Sequence, residues 1–204
     1  MDIATSAGTA AACLDGQVHG ARFLLALTHG AGGGIEAPDL LAARTAALRL
    51  GGVVARVLQP YRMRGARAPG DAGRQDAAWI EIAAALRDLV PGVPYLQGGR
   101  SNGARVACRT AGATAAEAVV ALAFPLHPPG KPEKSRLAEL RDCGVPALVV
   151  SGARDPFGIP ASGDADEVVI VPGETHALRG HSGIITAAVE RWLPTVLRTL
   201  SQRG

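Results

Sequence analysis

With 204 residues, the chain is long enough to bury one hydrophobic core without disulfides or metals, and a second domain would be a stretch. Its 21 basic and 18 acidic residues leave a net charge of +3, too small a surplus to make a polycationic footprint for nucleic acid. An apolar fraction of 48% with 3% aromatics and 26 glycines points to close-packed layers with small contact residues.

Cys13, Cys108 and Cys143 are odd in number and far apart, which gives neither a zinc spacing nor a redox pair. Reduced, mostly buried thiols of a cytoplasmic protein are expected. The first residues, MDIATSAGTAAA, lack the basic start and leucine-rich core of a secretory leader. No apolar run reaches membrane-spanning length. The densest basic stretch, Tyr61 to Arg67, has one aromatic and no nucleic-acid-binding pattern, so it reads as a solvated or pocket-lining loop.

In chain order, the segments IAT and AAACL, separated by Ser6 to Gly8, form a possible antiparallel hairpin at a sheet edge. Ala21 to Gly30 gives a buried strand, and Ala37 to Gly52 a helix with Pro38 in its first turn and a glycine pair at its end. Val53 to Leu58 is the next strand. After the basic loop a helix runs from about Gly73 to Leu89, with Trp79, Ile80, Ala83 and Leu86 on one face. Gly92 to Gly98 is a short strand, and Asn102 to Ala111 a helix. Strands at 118–125, 146–152 and 167–173 follow, with a helix at 132–143 between the first two. The closing helix carries an apolar stripe from Ile184 to Leu197, and Pro194 within it is expected to bend it or shift its start. Strands alternating with helices specify a three-layer α/β sandwich with a mostly parallel sheet, in a single domain spanning 1–204.

Between a strand and a helix lies GGRSNGAR, residues 98–105. A serine at such a switch sits in strained backbone with its hydroxyl raised above the sheet, and the crowded turn needs small residues two positions away on each side. Gly99 and Gly103 fill them around Ser101. A serine hydroxyl needs a base to take its proton and an acid to hold that base. Asp155 follows the 146–152 strand and His176 follows the last strand, so the order is Ser101, Asp155, His176. His127, His181 and Glu174 offer other ways to assemble a site. A developing oxyanion needs backbone donors: the N–H of Asn102 at the helix start, and Gly30 or Ala31 in the glycine-rich loop THGAGGG. His29 in that loop reads as structural, its ring bonded to backbone. Neither glycine loop carries the lysine and serine or threonine of a phosphate loop.

These stretches together resemble the α/β-hydrolase superfamily. The motifs are LTHGAGGG (27–34), YRMRGARAP (61–69), GGRSNGAR (98–105), PLHPPGKPEK (125–134), SGARDPFG (151–158) and GETHAL (173–178). More narrowly the chain is similar to the dienelactone-hydrolase-like branch that includes small relatives of testis-expressed protein 30. The resemblance implies Ser101 as nucleophile, Asp155 as acid and His176 as base. Members of this branch usually carry methionine or a similar residue where this chain has Asn102, and the better-known dienelactone hydrolases use cysteine where it has Ser101.

The expected activity is hydrolysis of a small or soluble carboxylic ester, or an amide or thioester, through an acyl-enzyme. No metal or organic cofactor is implied, and the partner expected is a small-molecule substrate, with no nucleic acid and no membrane. Monomer and homodimer fit the sequence equally. No lid-sized insertion follows the 118–125 strand, so the pocket should be shallow. His29, Arg62, Arg100 and His127 are the possible pocket residues, and the basic loop with Arg62, Arg64 and Arg67, together with Arg100, would favour an acidic substrate. The other reading is a binding or scaffolding protein that retains the hydrolase fold.

Overall fold

A computed structural model describes residues 1–202. One eight-stranded sheet, ordered β1-β2-β4-β3-β5-β6-β7-β8, runs through the molecule. Its strands are β1 (Asp2–Thr5), β2 (Gly8–Asp15), β3 (Leu24–Thr28), β4 (Val53–Leu58), β5 (Tyr95–Arg100), β6 (Ala118–Leu122), β7 (Ala147–Gly152) and β8 (Glu167–Val171). The first two make the edge hairpin, and β2 joins β4 antiparallel, with Ala11 opposite Leu58. All further pairings, from β4 through β8, are parallel. The central strands β3, β6 and β7 are buried at every residue, the pattern of strands covered on both faces.

The helices are α1 (Pro38–Arg49), α2 (Pro60–Met63), α3 (Ala72–Leu89), α4 (Asn102–Thr110), α5 (Leu137–Arg141) and α6 (Ser182–Ser201). On one face of the sheet α1 and α6 pack together, burying Leu40, Ala43, Ala47, Ile185, Val189 and Leu193 against Leu25, Leu27 and Val150. On the other, α3 and α4 bury Trp79, Ile82, Leu86, Val106 and Ala107 against Ala26, Ala55 and Val119. The alanines let these helices sit close to the strands, in place of the bulk that scarce aromatics do not supply. The result is a three-layer α/β sandwich with a mixed, mostly parallel sheet and no large lid insertion.

Several elements differ from the sequence reading, among them β5, which runs over 95–100 in place of 92–98. The basic loop opens with one helical turn, α2, because Pro60 at its first position fixes a helical φ. The helix placed at 132–143 shortens to α5, since Pro132 and the exposed charges around it bury nothing. Strand β6 stops at Leu122, where Ala123 turns to φ 48°. Pro194 neither ends α6 nor delays its start. The apolar stripe from Ile185 to Leu197 is buried against the sheet, and that packing outweighs the one lost backbone hydrogen bond. Cys108 and Cys143 are buried and Cys13 is exposed.

Candidate active site

The site is built at the carboxyl ends of β3, β5, β7 and β8. In a parallel sheet these ends lie side by side, so loops far apart in sequence open onto one edge. Ser101 joins β5 to α4 in a positive-φ conformation, φ 51° and ψ −114°, which an L side chain rarely adopts. The turn is fixed from both sides: Ser101 N–H donates to Leu122 O at 2.8 Å, and Ser101 C=O accepts from Arg105 N–H at 3.2 Å.

Crowding explains the glycines. A β-carbon on Gly99 would lie 2.5 Å from Thr28 O, and one on Gly103 would lie 2.6 Å from the same oxygen and 2.8 Å from His29 O. The turn is therefore pressed against the end of β3 as well as against itself. Beneath it Gln97 pins α3 and α4 to β5. Its carbonyl accepts from Trp79 Nε1 at 2.9 Å, and its amide donates to Ala107 O at 2.7 Å.

Asp155 and His176 come together through a second close approach. A β-carbon on Gly152 would meet the carbonyls of Glu174 and Thr175, both at 2.5 Å, so only glycine lets the two loops touch. Ala153 N–H donates to Val171 O and Arg154 N–H to Glu174 O, at 3.0 and 2.8 Å. Asp155 is 7% exposed and uses both carboxylate oxygens: Oδ1 accepts from Phe157 N–H at 2.9 Å, and Oδ2 from His176 Nδ1–H at 2.8 Å. The other ring nitrogen, His176 Nε2, accepts from Ser101 Oγ–H at 2.8 Å. One unbroken line of hydrogen bonds thus runs from a buried carboxylate through an imidazole to a serine hydroxyl. Phe157 stacks on the imidazole at 4.1 Å between ring centroids, a contact that sequence inspection missed.

The remaining sequence candidates fall into place individually. His29 is fully buried: its Nδ1–H donates to Gly30 O at 2.8 Å, and its Nε2 accepts from Gln59 N–H at 3.0 Å. It is structural, and its place among pocket residues is corrected. Burial holds its pKa down to about 4, so the ring stays neutral. Arg62 ties the glycine loop, donating through Nε to Gly33 O at 2.9 Å and through Nη1 to Ala66 O at 3.0 Å. Tyr61 Oη–H holds Ala31 O at 2.9 Å.

Arg100, which lines the cavity beside His176, is also tied to the protein. Its Nε donates to Asp39 Oδ2 at 2.7 Å, and its Nη2 to His176 O at 2.6 Å. Asp39, which the sequence did not single out, is 0% exposed, and burial pushes its pKa up against the opposing pull of Arg100. His127 is half-buried, its Nδ1–H donating to Pro128 O at 2.9 Å and its ring beside Gly158. Among the described residues the buried Nδ2 of Asn102 has no partner. His181 and Glu174 pair with each other: Glu174 accepts from His181 Nδ1 at 2.8 Å, Gly180 N–H at 2.7 Å and Arg179 N–H at 3.1 Å. That pairing, led by His181, holds the Glu174 carboxyl below its ordinary range and shapes the turn after His176. Among the described residues no cluster of three or more His, Cys, Asp or Glu could hold a metal, and no helix is long and apolar enough to cross a membrane.

Strand order, the strained serine turn and the loops that meet above it define a protein of α/β-hydrolase type. A family described as alpha/beta hydrolase domain matches residues 21–169, well over half of the chain, and the chain belongs to that family. No curated protein matches it. Solved structures share its fold at low identity. Est1E from Butyrivibrio proteoclasticus, in a complex with ferulic acid, is 16% identical with a TM-score of 0.78, covering 97% of this chain and 99% of that one. An α/β serine hydrolase without lid from Xanthomonas campestris is 19% identical with a TM-score of 0.70, covering 95% and 94%. A dienelactone hydrolase from Anabaena variabilis is 16% identical with a TM-score of 0.72, covering 96% and 95%.

Proposed function

We propose that the chain, as one domain, is a serine hydrolase that cleaves a small or soluble carboxylic ester through an acyl-enzyme. A link to the testis-expressed protein 30 group belongs to the same proposal. The observation that carries the reading is the pair of 2.8 Å hydrogen bonds joining Asp155, His176 and Ser101.

In the first step His176 Nε2 takes the proton as Ser101 Oγ attacks the acyl carbon, and Asp155 holds the imidazolium that forms. His176 then gives that proton to the leaving oxygen. Water, activated by the same nitrogen, attacks the acyl-serine and releases the acid. Asn102 N–H, at the first turn of α4, has no intrahelical acceptor and is available to the oxyanion, where the helix dipole adds to it. For the second donor, Ala31 N–H fits better than Gly30 N–H. The carbonyl of the Gly30–Ala31 peptide accepts from both His29 Nδ1 and Gly33 N–H, which fixes the plane and points the opposite N–H the other way. Among the described residues that N–H has no acceptor.

A fluorophosphonate probe tests this reading. Wild type is expected to label and Ser101→Ala to remain unlabelled. Absence of labelling under conditions where a control hydrolase reacts would favour a non-catalytic binding protein, and equal labelling of the variant would remove Ser101 from the role.

A further inference from the structure

An ion pair is buried between the serine turn and α1, where the fold gains little from it. Arg100 Nε meets Asp39 Oδ2 at 2.7 Å, with side chains 16% and 0% exposed. Desolvation of two charges offsets most of their attraction, so apolar residues of similar volume would serve the fold as well or better. Such a pair is explained by what it holds in place.

Asp39 is fixed first. It stands in the first turn of α1 behind Pro38, at the helix end that favours an anion, and its Oδ1 accepts from Leu40 N–H at 2.9 Å. The carboxylate thereby orients the guanidinium plane through Nε. In the plane so set, Nη2 donates to His176 O at 2.6 Å. Among the described residues this is the one hydrogen bond of the His176 main chain. The remaining nitrogen, Nη1, packs on the glycine loop after β3, 3.2 Å from where a β-carbon of Gly30 would stand, and Ser101 Cβ lies 3.4 Å from the same point. Arg100 is also the last residue of β5, joined by one peptide to Ser101. A single planar fork therefore touches α1, the glycine loop and the His176 loop while its own backbone carries the serine.

We propose that Arg100, braced by Asp39, is the positioning residue of the base: it sets where the His176 ring stands relative to Ser101. Asp155 holds the Nδ1 side of that ring, and Arg100 holds the backbone from which the ring projects. The inference rests on the hydrolase reading for its effect on rate, and not for the placement of the ring.

Two variants test it. Arg100→Met/Asp39→Leu removes the pair without leaving a buried charge. Arg100→Lys keeps a cation, but a point donor on a flexible stem does not hold two acceptors in one plane. With 4-nitrophenyl acetate, kcat should fall about 10–100-fold in the double variant and about tenfold in Arg100→Lys, because a misplacement of about 1 Å costs up to about 100-fold. KM should stay within about twofold, as for a group that acts on the chemical step. The ring is read without reference to activity, by long-range proton–nitrogen NMR correlation of His176 at alkaline pH. Wild type should show the Nδ1–H tautomer alone, which the bond to Asp155 requires, and both variants should show the Nε2–H tautomer beside it. General loss of stability does not produce that mixture in the folded protein. A wild-type tautomer in the double variant overturns the proposal whatever the rate, and Arg100→Lys decides in the same way where the double variant does not fold. A mixed tautomer with kcat unchanged overturns it too, since ring placement would then not limit the reaction. If wild-type Ser101 takes no fluorophosphonate and the variants still show the mixture, the hydrolase reading fails and the placement of the ring by Arg100 stands.

Discussion

Replacing Ser101 by glycine should make the protein more stable than replacing it by alanine, although both changes remove the hydroxyl. At φ 51° and ψ −114° the β-carbon of Ser101 sits in a region open to glycine and strained for other residues. Strain of this kind costs about 1–3 kcal/mol and persists only where the surroundings over-determine it. Here Leu122 O and Arg105 N–H hold the turn on either side, and neither bond involves the side chain. Ser101→Ala keeps the β-carbon and loses only the bond to His176, while Ser101→Gly loses the bond and the strain. Glycine also loosens the unfolded chain, which offsets about 0.4–1 kcal/mol of that relief. The net difference favours Ser101→Gly by about 1 kcal/mol, or a Tm higher by about 2–4 °C for a chain of this size. Urea unfolding of the two purified variants at neutral pH measures it. A Ser101→Gly protein less stable than Ser101→Ala would mean that the turn is not strained, and the argument for a nucleophile held under tension would go with it.

Gly103→Ala should destabilise the fold by about 1–3 kcal/mol and reduce probe labelling, since its β-carbon meets backbone carbonyls of Thr28 and His29 that cannot swing aside; thermal melts and labelling rates check this. Arg100→Met leaves Asp39 buried without its cation, with Leu40 N–H still donating to it, and a loss of about 3–5 kcal/mol is expected, recovered in large part by Arg100→Met/Asp39→Leu. The double variant should still label slowly, because His176 O has lost its donor. His29 gives the pH dependence. Its folded pKa of about 4 lies below the unfolded value of about 6.5, so between these limits the unfolded chain holds a proton that the folded one does not. The stability from the neutral ring is complete above about pH 6.5 and is lost as pH falls toward 4, roughly 3 kcal/mol in all. Denaturant titrations from pH 7 to 4.5 should show that slope in wild type and a flatter one in His29→Asn.

The strands and most helices were legible because each carries its own signal: continuous apolar runs for buried parallel strands, proline and paired glycines around α1, an alternating chemistry of small and polar residues at the serine turn. That Ser101, Asp155 and His176 meet was expected from the glycine-flanked serine turn, from their order as polar residues following strands whose ends share one edge, and from the family resemblance. The short helix α5 and the turn α2 were not, since a single turn leaves no periodicity to read. Nor were Asp39 and Phe157, whose roles depend on partners 61 and 19 residues away in the chain, Arg100 and His176.

Charge shows the division most clearly. The sequence by itself determined how many arginines there are and that several fall near the motif loops, because covalent order fixes which residues flank a strand end. Only the tertiary structure decided which of those cations are cancelled. Arg100 meets a buried carboxylate on α1, Arg62 is tied to backbone carbonyls, and Arg154 and Arg179 are brought to one cleft by the meeting of the β7 and β8 loops. Electrostatic pairing is set by distance in space, and in a parallel sheet the residues that come nearest at the strand ends are separated by whole helices in the chain.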